Sequence, residues 1–113
     1  MPATLMISYK DLDPGERLRE RLEERCRALA VEFPETTHFE IALAADGAGF
    51  TAHGHVTGDH TEVAAQATAA EPAPAADKLM DALERQLRRL HDKKIFARRR
   101  SAQRESRRRK TGA

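Results

Sequence analysis

Four stretches of this chain alternate apolar and polar residues with a period of two, and two longer stretches repeat their apolar residues every three or four positions. Leu5, Ile7 and Tyr9 alternate with Thr4, Met6 and Ser8, which predicts a first strand. Asp13-Pro14-Gly15-Glu16 then reads as a helix start, with Asp13 as N-cap, Pro14 at the first helical position and Glu16 at the capping-box position. Leu18, Leu22, Cys26, Leu29 and Phe33 form one apolar stripe behind it, and Pro34 ends the helix. Phe39, Ile41 and Leu43 alternate with His38, Glu40 and Ala42 in a second strand. The Asp46-Gly47-Ala48-Gly49 turn leads into a third strand over 50–57. It carries Phe50, Ala52, Gly54 and Val56 on one face and Thr51, His53, His55 and Thr57 on the other. Gly58-Asp59 is a tight hairpin signal, and a fourth strand over 61–68 points Val63, Ala65 and Ala67 inward.

Residues 69–75, with Pro72 and Pro74, read as a loop or a helix lead-in, because a proline inside a helix removes a backbone donor and clashes with the preceding turn. A second helix is predicted over 75–96. Leu79, Leu83, Leu87 and Leu90 share one face with Met80 beside them, and Lys78, Arg85, Arg88 and Arg89 lie opposite, together with Asp81 and Asp92. Apolar periodicity stops at Phe96. The chain therefore divides into a folding unit over 1–96 and a basic tail over 97–113, expected to be disordered in isolation. The order β-α-β-β-β-α places the chain in the α+β class. The simplest way to bury two helical stripes and four alternating strands is a four-stranded sheet with both helices on one face. The other face, with Thr51, His53, His55 and Glu62, should be solvated.

Charge sharpens this picture. Residues 85–113 hold 13 Lys/Arg against two acids, a net charge of +11, whereas residues 1–84 hold seven Lys/Arg against 16 acids, a net charge of −9. An acidic body carrying a basic arm points to a polyanionic partner, either nucleic acid or an anionic membrane surface. The membrane is the poorer fit. An interfacial helix keeps its apolar face for lipid, usually with Trp or Phe, and here that stripe is needed by the sheet. No apolar run approaches the length of a bilayer span, and the N-terminus lacks the basic and apolar regions of a secretory signal, so a soluble, cytoplasmic protein is expected. The lone Cys26 allows no internal disulfide and sits on the buried side of a helix.

No nucleophile–base pair and no phosphate-cradling glycine loop can be read, so an enzyme is not expected, nor is a cofactor or small-molecule substrate. His53 and His55 share a strand face near His60 and Glu62, but a polar outer face accounts for them and no metal is expected. The chain has five aromatic residues: Tyr9, Phe33, Phe39, Phe50 and Phe96. The first four fit core or strand positions, and no strand carries the basic-plus-aromatic pattern of a single-strand reader. Backbone and shape contacts to structured RNA fit better than base readout.

The segment Leu83-Glu-Arg-Gln-Leu-Arg-Arg-Leu-His-Asp-Lys-Lys94, followed by Ala97-Arg-Arg99, resembles the C-terminal helix of the ribosome hibernation-promoting factor and ribosome-associated inhibitor A family. The Asp13-Pro-Gly-Glu16 helix start with Leu18, Leu22 and Leu29 is similar to that family's first helix, and the strand order agrees along residues 4–96. The chain departs from the family pattern at Glu71-Pro72-Ala73-Pro74 and in its basic tail, which fits neither short subtype well, although the resemblance is to the short form of the family. The resemblance implies a ribosome-binding protein of β-α-β-β-β-α fold. Such a protein occupies the small subunit near the decoding channel and blocks tRNA and mRNA in stationary phase or stress. It also implies rRNA contacts from Lys78, Arg85, Arg88, Arg89, Lys93 and Lys94, with Arg98, Arg99 and Arg100 just beyond. Arg17, Arg21 and Arg25 on the first helix are weaker candidates, diluted by Glu16, Glu20, Glu23 and Glu24. The partner is then small-subunit rRNA, with the protein monomeric away from the ribosome. Two other readings stay open on the sequence: a general structured-RNA or nucleic-acid module, and a protein adaptor on the same fold.

Overall fold

The structure, a computed structural model, describes the backbone of residues 3–111 and the side chains of residues 3–93. The elements are β1 (Thr4–Lys10), α1 (Gly15–Glu32), β2 (Thr36–Asp46), β3 (Gly49–Gly58), β4 (Thr61–Ala69) and α2 (Pro72–Thr111). The expected β-α-β-β-β-α order is therefore the observed one. The strands form one sheet in the order β1-β2-β3-β4, with β1 parallel to β2 and the other pairs antiparallel. A parallel β1–β2 pair needs a crossover, and α1 supplies it.

Both helices lie on one face of the sheet. Leu18, Leu22, Cys26, Leu29 and Phe33 from the first helical stripe meet Phe39, Ile41, Leu43, Ala52, Val56 and Val63 from the strands and Leu79, Met80, Leu83 and Leu87 from α2 in a single core. Gly54 lies where α2 comes closest to β3. A Cβ there would stand 2.7 Å from Leu83 Cδ1 and 3.1 Å from Leu79 Cδ1, so the missing side chain sets how near the helix can pack.

Several boundaries differ from the sequence reading, each for a local reason. Asp13 does not cap in the expected capping-box manner. Its Oδ1 accepts from the Gly15 N–H at 3.1 Å, and Gly15 takes φ +76°, a conformation open to glycine. The helix therefore begins one residue later than Pro14. The β3–β4 turn is Asp59–His60, closed by the Gly58↔Thr61 pair, one residue beyond the expected Gly58–Asp59. Thr51, expected in solvent, is buried on the outer face between Ala44 and Thr68 of the neighbouring strands. Of the two readings of the segment over 69–75, loop or helix lead-in, the second holds from Pro72 onward, three residues before the expected helix start at Ala75. Both prolines fall in the first turn, where backbone N–H groups have no helical partner to lose.

α2 also runs past Phe96, the last position with apolar periodicity, to Thr111. Its 40 residues give a helix about 60 Å long at 1.5 Å per residue. Helical backbone requires no apolar stripe. Seven of the residues over 97–111 are Arg, and Ala97, Ala102, Gln103 and Lys110 are good helix formers as well.

Candidate nucleic-acid interface

α1 and α2 run in the same direction and are joined by a ladder of polar side-chain pairs. Arg21 Nη2 lies 3.0 Å from Asp77 Oδ2, and Arg25 Nη2 lies 2.9 Å from Asp81 Oδ1. Arg88 Nη2 donates to Glu32 Oε1, and His91 Nδ1 lies 3.0 Å from Glu35 Oε1. All four pairs join residues 56 positions apart, so one register holds the helices side by side for most of their shared length. The polarity reverses along the ladder: Arg21 and Arg25 reach from α1 to acids of α2, whereas Arg88 and the His91 ring reach from α2 to Glu32 and Glu35.

The upper end is the better fixed. Glu35 lies in the loop between α1 and β2, which is pinned by the Asp59 N–H donating to Glu35 O at 2.9 Å and by Thr36 Oγ1 donating to Phe33 O at 2.7 Å. Gly58 permits this approach, since a Cβ there would fall 2.1 Å from the Glu35 carbonyl oxygen. Phe33 packs edge-on against the His91 ring, with centroids 5.7 Å apart. The last rung thus lies where α2 leaves the sheet.

This ladder sorts the cations of α2. At 100° per residue, Lys78, Arg85, Arg89 and Lys93 fall within about 80° of arc, on the side turned away from α1. All four are exposed, and none has an ion-pair partner among the described residues. Arg88 lies on the other side, engaged by Glu32. Asp77 and Asp81 also lie toward α1, where Arg21 and Arg25 neutralise them. Asp77 and Asp81 are thereby drawn to one side, while Asp92 stays exposed beside the strip, which remains predominantly cationic. Of the sequence candidates, Lys78, Arg85, Arg89 and Lys93 come together and Arg88 is set apart. Arg21 and Arg25 of α1 are engaged by acids, while Arg17 stays exposed. Lys94, Arg98, Arg99 and Arg100 continue on helical backbone, but their side chains lie outside the described residues.

The strip borders β4. A shallow groove of about 180 Å³ between β4 and α2 is lined by Glu62, Val63, Gln86, Arg89, Leu90 and Lys93. Gln86 Nε2 donates to the Ala64 carbonyl at 2.8 Å and Lys78 Nζ to the Thr68 carbonyl at 3.5 Å, tying α2 to the outer edge of the sheet. On the far face of the sheet, His55 Nε2 lies 3.1 Å from Glu62 Oε1, and no group of three or more potential ligands close enough for a metal exists among the described residues. Burial pushes the Cys26 thiol up to about 11, which leaves it protonated and inert. No helix among the described residues is long and apolar enough to cross a membrane.

The family described as sigma 54 modulation protein / S30EA ribosomal protein matches residues 5–95. This chain belongs to that family. A solved structure of a ribosomal subunit interface protein from Coxiella burnetii is similar at 21% identity and a TM-score of 0.67, covering 79% of this chain and 98% of that one. The N-terminal domain of Protein Y from Thermus thermophilus is similar at 20% identity and a TM-score of 0.67, covering 80% of this chain and 99% of that one. These likenesses are of fold. No curated protein sequence matches the chain. The S30EA match spans all four strands, the whole of α1 and the part of α2 that packs on the sheet.

Sequence reasoning missed the part played by Glu32, Glu35 and His91. Glu32 and Glu35 stand at the end of α1 and in the following loop, where acids look like solvated surface. Only the packing of α1 beside α2 gives them partners. Gln86 was also missed, because a glutamine on a charged helix face carries no sequence signal for capping a strand edge.

Proposed function

We propose that this protein is a non-enzymatic ribosome-associated hibernation factor of the S30EA family. In this reading it binds small-subunit rRNA near the decoding channel and blocks tRNA and mRNA access in stationary phase or stress. The observation that carries the proposal is the strip of Lys78, Arg85, Arg89 and Lys93, exposed cations that no rung of the α1–α2 ladder engages and that the basic segment of α2 continues. Family membership supports the ribosome as the partner, and the names of the two similar structures agree with it.

The mechanism is steric occlusion anchored by charge. Guanidinium and ammonium groups neutralise backbone phosphates and release condensed counterions, a contribution that needs no base contacts. Spacings of four residues place successive cations about 6 Å apart along one helix face, comparable to the separation of phosphates on an RNA strand. The segment over 97–113 acts as a second unit of the site, docking on rRNA once the body is seated. The body supplies bulk, and no bond is made or broken.

Co-sedimentation with ribosomes at low and moderate salt, against excess competitor RNA, tests this reading. Retention on the small subunit despite competitor is the expected result. With six to ten phosphate contacts, affinity should fall about 10³–10⁵-fold between 50 and 200 mM salt. Loss to competitor would identify a general structured-RNA binder. Removal of residues 97–113 should lower both affinity and salt slope, and unchanged values would exclude that segment from the site.

A further inference from the structure

The two edges of the sheet are treated differently. β4 is covered by α2, whose Gln86 and Lys78 bond its outward carbonyls. β1, at the other edge, has no such cover. In a strand at the edge of a sheet, alternate backbone N–H and C=O groups point away from the neighbouring strand. Among the described residues, no side chain bonds to the β1 backbone.

The same edge gathers exposed apolar surface. Met6 (55% exposed) and Val31 (83% exposed) are the exposed large hydrophobic residues among those described. Met6 is on the outer face of β1, and Val31 is on α1 beside its inner face. Between strand and helix lies a groove of about 510 Å³ lined by Ala3, Leu5, Arg27, Ala30, Val31, Pro34 and Thr36. Edge strands that stay single usually carry interior charges, prolines or bulges. β1 (TLMISYK) has none of these, and its one charge, Lys10, is at its end.

We propose that the β1 edge is a self-association surface, in which two copies pair antiparallel about a two-fold axis near Ile7 to give a continuous eight-stranded sheet. Charge and side-chain fit favour a second copy as the occupant. The two-fold places Lys10 opposite Thr4 and separates the two lysines by about 20 Å along the strands. It sets Leu5 opposite Tyr9 and Ile7 opposite Ile7, apolar pairs on the helix-covered side. It also brings covering surface to Met6 and Val31. The cationic strip of α2 lies against β3 and β4, at the far side of each copy, so pairing leaves it open. A contact built on one seven-residue strand is expected to fall short of a standard interface of about 1,600 Å², so pairing belongs to high protein concentration, with the monomer prevailing below it.

Sedimentation equilibrium of the full chain from about 10 µM to 1 mM tests the proposal. The expected result is an average mass rising from 12.6 kDa toward twice that value, unchanged between 0.1 and 0.5 M salt. Val31→Glu and Met6→Lys, both at exposed positions that leave the core intact, should weaken association about tenfold or more by placing charge in the contact. Association that disappears with salt and ignores both substitutions would overturn the proposal, since that is the behaviour of a basic arm meeting an acidic body. A mass fixed at 12.6 kDa throughout would also overturn it, leaving the edge for a strand from a different protein.

Discussion

Arg25 and Asp81 meet at 2.9 Å across α1 and α2, and the same guanidinium reaches the Asp77 carbonyl at 3.5 Å. Arg25 is the more buried partner, with 27% of its side chain exposed against 61% for Asp81. A half-exposed pair of this kind contributes about 0.2–1 kcal/mol. Asp81→Lys places two cations together and should lower stability by about 1 kcal/mol, a shift of a few degrees in Tm. Adding Arg25→Glu should recover most of that stability, and a thermal double-mutant cycle measures it.

The cations of α2 should separate into two classes. Replacing Arg85, Arg89 and Lys93 by Glu removes exposed charges without an ion-pair partner. Tm should move little, while ribosome affinity and its salt slope fall, the slope by about one for each phosphate no longer neutralised. Arg88→Gln should instead lower Tm slightly by removing the Glu32 pair, with a smaller effect on binding. Equal weakening of binding for Arg88 and Arg89 would show that Glu32 releases its partner on the ribosome.

Close backbone approach makes two glycines sensitive. Gly54→Val drives side-chain atoms into Leu79 and Leu83 and should cost about 1–3 kcal/mol, read by chemical denaturation. Gly58→Ala sets a Cβ against the Glu35 backbone, which cannot rotate aside as a leucine can. It should destabilise by at least as much, and it should also loosen the His91–Glu35 pair.

Cys26 should resist thiol reagents at pH 8 in the native protein, with labelling limited by unfolding. Its thiol is held up to about 11 in the fold, above the ordinary value of 9.0, because burial disfavours the thiolate. The unfolded chain therefore loses this proton first as pH rises. The stability associated with it is intact below pH 9 and declines as pH climbs toward about 11. Denaturation midpoints measured from pH 8 to 11 should show this decline, and Cys26→Ala should remove that part of it.

Much of this protein was legible in the sequence because burial imposes periodicity. Phe39, Ile41 and Leu43 had to face one way in a strand, and Leu79, Leu83 and Leu87 had to share a helix face, so element order and core followed from spacing alone. The separation of acidic body from basic arm was equally plain, since charge needs no fold to be counted. Local geometry was less so. Pro72 and Pro74 look like helix breakers until their place in the first turn is known, and the Gly58-Asp59 signal fell one residue from the true turn. Tertiary structure alone decided which cations are available. Glu32 meets Arg88, and Asp81 meets Arg25, only because α1 and α2 lie parallel in a single register, a relation between residues 56 apart that no local pattern encodes. It also decided that β4 is covered while β1 is left open, because an edge exists only once the strands have taken their places in a sheet.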